Sequence, residues 1–106
     1  MPPTWRAAAL ARIRRHAAAR RVRFTLKALG ELDGLGLGVE DAILIVAGLS
    51  TADFARRVRS RHTSEWMYVF KPVVEGATLY VKLLMRRDCV IISFHEDEEQ
   101  ADESDV

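Results

Sequence analysis

The sequence predicts an α+β fold in which N-terminal helices pack on one face of a three- to four-stranded antiparallel sheet. Two observations carry this. Up to about residue 47 the apolar residues recur at helical spacing, and from residue 54 to residue 95 they alternate with period two. Helices that precede strands, rather than alternating with them, separate this class from the doubly wound α/β folds. A length of 106 residues suits a single domain.

Thr4 can cap a first helix over residues 4–20. Leu10, Ile13 and Ala17 fall on one stripe of it, and Arg12, Arg15, His16 and Arg20 fall elsewhere. A second helix starts near Thr25 and takes in Leu26, Ala28, Leu29 and Leu32. "DGLGLG" ends it, because glycine accepts the positive φ of a turn. A third helix covers residues 39–47, and its apolar run "AILIVAGL" predicts burial nearly all round. "STADFARRVRSRH" reads as a short turn, with Ser50 and Asp53 spaced as a capping box, followed by a strand. That strand sets Phe54, Arg56 and Val58 against Arg57, Arg59 and Arg61.

Three further strands follow. "WMYVFK" sets Trp66, Tyr68 and Phe70 against Met67, Val69 and Lys71. "TLYVKLLMR" sets Leu79, Val81, Leu83 and Met85 against Thr78, Tyr80, Lys82, Leu84 and Arg86. "CVIISFH" sets Val90, Ile92 and Phe94 against Cys89, Ile91, Ser93 and His95. "VVEG" and "RRD" are turns short enough to make neighbouring strands antiparallel. Phe24, Phe54, Trp66 and Phe70 are expected in the core. The domain is expected to occupy residues 1–97, with residues 98–106 an acidic tail disordered by composition.

No apolar run approaches the roughly 20 residues of a membrane span. The arginine-studded N-terminus lacks the apolar centre of a secretory signal. The lone cysteine, Cys89, excludes an internal disulfide and suits a reducing cytoplasm. His16, His62 and His95 have no ligand spacing around it, so no metal site and no cofactor are expected. The net charge of +1 hides a division. Residues 1–95 hold all 16 cations against eight acids, a formal +8, and the remaining seven acids follow His95. A basic, arginine-rich body suits a polyanionic partner.

One sheet face is expected to carry Tyr80, Lys82, Arg86 and His95. RNA brings its own nucleophile, the 2′-hydroxyl. Its cleavage then needs a proton carrier, for which histidine is suited near neutral pH, and cations around the phosphorus. An ordinary solvated sheet face is the other reading of the same residues.

The segments "GLSTADF" (48–54), "WMYVFKP" (66–72), "GATLYVK" (76–82) and "VIISFHEDE" (90–98) resemble, in order and approximate spacing, the motility quorum-sensing regulator toxins. These are RelE-like ribonucleases of bacterial toxin–antitoxin pairs. The resemblance implies a ribosome-independent mRNA endoribonuclease that needs no metal and is neutralised by a cognate antitoxin. Carried over residue by residue, it implies catalytic roles for Arg56, Tyr80 and His95, with Arg57 the alternative to Arg56 if the strand register slips by one. Met67 stands where the family pattern has a polar residue, so that role is lost or moves to Tyr68 or Lys71. Lys82, Arg57, Lys71 and Arg86 are then the expected substrate contacts. A basic RNA- or protein-binding module without catalysis is the alternative on the same fold.

Overall fold

In the computed structural model, residues 4–98 are described. The element order is α1 (Thr4–Ala18), β1 (Val22–Phe24), α2 (Leu26–Gly34), α3 (Val39–Ala47), a 3-10 turn (Thr51–Asp53), β2 (Phe54–Arg59), β3 (Trp66–Phe70), β4 (Val73–Val74), β5 (Ala77–Met85) and β6 (Cys89–Glu96). The α+β class holds. The sheet departs from expectation, because it is six-stranded and mixed. Its path is β1-β6-β5-β3-β2, and β4 pairs with β5 to one side. The unexpected parallel member is β1, whose Val22 and Phe24 run alongside Cys89 and Ile91 of β6. Three residues, Val22, Arg23 and Phe24, are too few to give a period.

Local chemistry explains most boundaries. Thr25 Oγ1 accepts the Ala28 N–H at 3.1 Å and starts α2. Gly36, at φ 71°, turns the chain out of it. The Asp53 carboxylate accepts both the N–H and the hydroxyl of Ser50, at 2.9 and 3.2 Å, fixing the turn before β2. Glu75 and Gly76, at φ 50° and 84°, make the two-residue turn of the β4–β5 hairpin.

The core lies between the helices and one sheet face. Leu10, Ile13 and Ala17 of α1 meet Phe70, Val81, Leu83, Ile91 and Phe94. The third helix is not buried all round. Ala42, Ile43 and Val46 are buried, whereas Leu44 is 68% exposed and Val39 is exposed too. It packs on α1 and forms the outer layer, so one side faces water despite its composition.

Two bulges reset the faces. Phe54 pairs with Phe70 but Arg56 with Val69, which leaves Ala55 as an extra residue. Ser93 pairs with Lys82 but Ile91 with Leu83, which leaves Ile92 extra. Phe54 therefore joins the helix-side face with Arg57 and Arg59, and Arg56 joins Val58 on the other. Likewise Phe94 returns to the core with Cys89 and Ile91, and Ser93 and His95 go to the face of Tyr80. This corrects the uninterrupted alternation expected for both strands.

Trp66 is not a core residue. It is half-buried, and the guanidinium carbons of Arg57 and Arg59 lie 4.0 and 4.2 Å from its ring. Arg57 also lies 3.7 Å from the Trp5 ring, so it is sandwiched between the two indoles. Beyond β6, Asp97 is 6% exposed, its N–H donates to Thr78 O at 2.9 Å, and its carboxylate pairs with Lys71 at 3.4 Å. Of the expected tail, residues 99–106 lie outside the described residues.

Candidate active site

The helix-free face of the sheet holds an open cleft of about 320 Å³. Strands β2, β5 and β6 bring four of the sequence-derived candidates together there. Tyr80 and His95 are direct cross-strand partners, and their rings stack with centroids 4.9 Å apart and planes 10° apart. From the β2 side, the Arg56 guanidinium lies 5.9 Å from the Tyr80 centroid. Lys82, two residues on from Tyr80, lines the same cleft.

The other candidates lie elsewhere. Arg57 is on the opposite face, held by Trp5 and Trp66. Lys71 sits at the margin, paired with Asp97. Arg86 is beyond the cleft, bound to Glu65 through contacts of 2.6 and 2.9 Å. Met67 is one rung away along the sheet, opposite Leu84. Among the described residues, no group of three or more His, Cys, Asp and Glu is placed to hold a metal ion.

The residues that sequence reasoning missed come from α2. β1 ends at Phe24, so the edge of β6 beyond Ile91 has no strand partner. Its polar groups find α2 and the turn before it. Thr25 donates through its N–H to Ile91 O at 3.1 Å and through its hydroxyl to Ile92 O at 3.2 Å. Lys27 donates to Ser93 Oγ at 2.9 Å, and Glu31 Oε1 accepts the Phe94 N–H at 2.9 Å. The carboxylate replaces the carbonyl that a neighbouring strand would have supplied. Glu31 Oε2 accepts from Lys27 at 3.0 Å and lies 4.0 Å from His95 Nε2. Partial desolvation pushes the Glu31 carboxyl up. The Phe94 N–H, Lys27 and His95 together outweigh it and hold the group below its ordinary value. The i,i+4 spacing of Lys27 and Glu31 was a readable signal of a helix-surface pair, but nothing local placed that pair beside β6.

The His95 ring is set by its neighbours. Nδ1 lies 2.7 Å from the Glu96 carbonyl oxygen. A carbonyl only accepts, so Nδ1 carries a proton, and the lone pair of the neutral ring sits on Nε2. Nε2 in turn faces the Glu31 carboxylate. The arrangement is a proton carrier of fixed tautomer, stacked on a phenol and flanked by Arg56, Lys27 and Lys82.

The family described as "Motility quorum-sensing regulator, toxin of MqsA" matches residues 6–96. The chain belongs to the MqsR toxin family. It is also similar to the mRNA interferase toxin MqsR of Escherichia coli (strain K12), with 33% identity over 89 residues, covering 82% of this chain and 90% of the relative. The match to the MqsR family takes in α2 as well as the sheet, so it spans both halves of the cleft: the helix that carries Lys27 and Glu31, and the strands that carry Arg56, Tyr80, Lys82 and His95.

Proposed function

We propose that this MqsR-family mRNA interferase cleaves RNA in the cleft around Tyr80 and His95 with the RNA's own 2′-hydroxyl as nucleophile. The 2′-oxygen loses its proton and forms a bond to phosphorus. The bond from phosphorus to the 5′-oxygen breaks, and that oxygen gains a proton. The products end in a 2′,3′-cyclic phosphate and a 5′-hydroxyl. His95 takes the 2′-hydroxyl proton on the lone pair of Nε2, water gives the 5′-oxygen its proton, and Glu31 is the positioning residue that faces the resulting imidazolium. The Tyr80 hydroxyl and the cations of Arg56, Lys82 and Lys27 bind the phosphate as negative charge builds on it. No step needs a metal, because the attacking group and the proton carriers are already present.

The observation that carries this reading is the stacked Tyr80–His95 pair, 4.9 Å between centroids, which lines the cleft with His95 Nε2 4.0 Å from Glu31 Oε2. The proposed setting is the bacterial cytoplasm, where mRNA is the substrate and a cognate antitoxin protein is the neutralising partner. No helix among the described residues is long and apolar enough to cross a membrane.

The test is incubation of the purified protein with mRNA in excess chelator. Fragments with cyclic-phosphate ends are expected. His95→Ala should lower the rate at least ~10²-fold, the scale of a proton-transfer group, while remaining folded by circular dichroism. Normal cleavage by that variant would overturn the assignment.

A further inference from the structure

The cleft has a neighbour of different character. On its own rung, Arg56 opposes Val69, Val69 opposes Lys82 and Lys82 opposes Ser93. Two residues along each strand, Val58 opposes Met67 and Met67 opposes Leu84. With Ile92, the extra residue of the β6 bulge, these side chains floor an open pocket of about 580 Å³. Val58, Met67 and Ile92 are half-buried, and Leu84, 5% exposed, fills in beneath them.

One wall is the β2–β3 loop. It is closed by the Ser60 N–H on Glu65 O at 2.8 Å and by Arg59 Nη1 on Ser64 O at 2.9 Å. The Arg86–Glu65 pair pins it to β5. Arg61 and His62 stand on its rim, and Lys82 belongs to both the pocket and the cleft.

We infer that this pocket holds the nucleobase next to the scissile phosphate, a reading that rests on the cleft being the site of cleavage. Lys82, one of the cations proposed to bind the phosphate, is two residues of strand from Leu84, roughly 6.7 Å and about one nucleotide step of an extended chain, and the Tyr80–His95 pair lies two residues beyond Lys82 on its other side. The floor has no hydrogen-bonding side chain, so it takes a flat ring by its face and ignores the base's polar edge. Arg61 on the rim and the shared Lys82 are cationic, which suits the phosphates on either side of that ring. A free apolar ligand would leave those charges without a counterpart.

The test uses an RNA oligonucleotide selected from a random pool as the tightest bound. It is made uncleavable by 2′-O-methylation and scanned with one abasic nucleotide at a time. In the native protein, an abasic nucleotide next to the cut should cost about tenfold in affinity, the scale of one stacked base. In Met67→Ala and, independently, Val58→Ala, the same lesion should cost at most about threefold. Abasic changes elsewhere should cost the same in all three proteins. Equal penalties in all three at every position would overturn the pocket, even with cleavage of the unmethylated RNA intact. A position-specific penalty that both variants relieve, in a protein that never cleaves the unmethylated RNA, would keep the pocket and sink the nuclease reading instead.

Discussion

Glu31 separates the loss of a bond from the loss of a charge. Its Oε1 accepts the part-buried Phe94 N–H at 2.9 Å, and its Oε2 accepts from Lys27 at 3.0 Å. Glu31→Ala strands the Phe94 donor, which costs about 1–3 kcal/mol, and removes a helix-surface ion pair worth about 0.3–0.5 kcal/mol. A loss of about 2 kcal/mol in a domain this size lowers the thermal midpoint by roughly 8–16 °C. Glu31→Gln keeps an oxygen for Phe94, so its midpoint should stay within about 5 °C of the native value.

The rate reports the charge. Once His95 is doubly protonated, its Nε2 faces the carboxylate at 4.0 Å, with the two side chains 25% and 22% exposed. An effective dielectric of 20 gives about 4 kcal/mol at that distance. Solvent around partly exposed partners trims this towards about 1 kcal/mol, about fivefold in rate. Single-turnover cleavage of labelled RNA, beside a thermal melt, checks both expectations. A Gln variant as unstable as the Ala variant would refute the Phe94 bond as the source of stability. A Gln variant that cleaves at the native rate would leave Glu31 an anchor with no part in the chemistry. The carboxyl is held below its ordinary value in the fold, so its contribution to stability is present above the unfolded carboxyl pKa and fades as the pH falls below it.

Tyr80→Phe keeps the stacked ring and removes the hydroxyl, so turnover should fall about 10²-fold while RNA affinity stays within a few-fold, and an unchanged rate would confine Tyr80 to packing. Hydrogen bonds from Arg86 hold the Glu65 carboxyl down at about 2, so its contribution is present above the unfolded value of about 4.3 and is lost as the pH falls towards 2. Glu65→Gln should therefore destabilise at neutral pH and flatten the acid limb of the stability curve, and identical acid limbs would refute the pairing. Burial pushes the Cys89 thiol up to about 12, so a thiol reagent at pH 8 should label it only after denaturation, and rapid labelling of the native protein would contradict the burial. Deleting residues 99–106 removes four acids beside a basic body, so the truncated protein should bind RNA more tightly at low salt, with the gap closing as salt screens it, and equal affinity at low salt would refute a competing tail.

What could be read from the chain follows from how far each signal reaches. The helix stripe of Leu10, Ile13 and Ala17 and the alternation of β5 are local periods, and both hold in the fold. The β2 and β6 bulges are not local. Ala55 and Ile92 differ from their neighbours in no property that a pattern registers, yet each inverts every side chain on one side of it. Arg56, Tyr80 and His95 were nameable as residues, but their convergence on one face depends on those two insertions. Glu31 was beyond reach for another reason. Its task exists only because β1 stops after three residues and leaves an edge of β6 for a helix to satisfy. Leu44 shows the opposite error, since composition alone does not tell an inner helix from an outer one.

The Arg57 sandwich decides what light can report about this molecule. The chain has two tryptophans, and both lie against that one guanidinium, Trp5 at 3.7 Å and Trp66 at 4.0 Å. Intrinsic fluorescence is therefore a gauge of how α1 seats on the β2–β3 corner. The cleft is on the reverse side of the sheet, so RNA can fill it without altering either indole's surroundings. A flat emission titration would be compatible with tight binding. In denaturant, an emission change that precedes the loss of strand circular dichroism would mean that α1 lifts away from a sheet that is still standing.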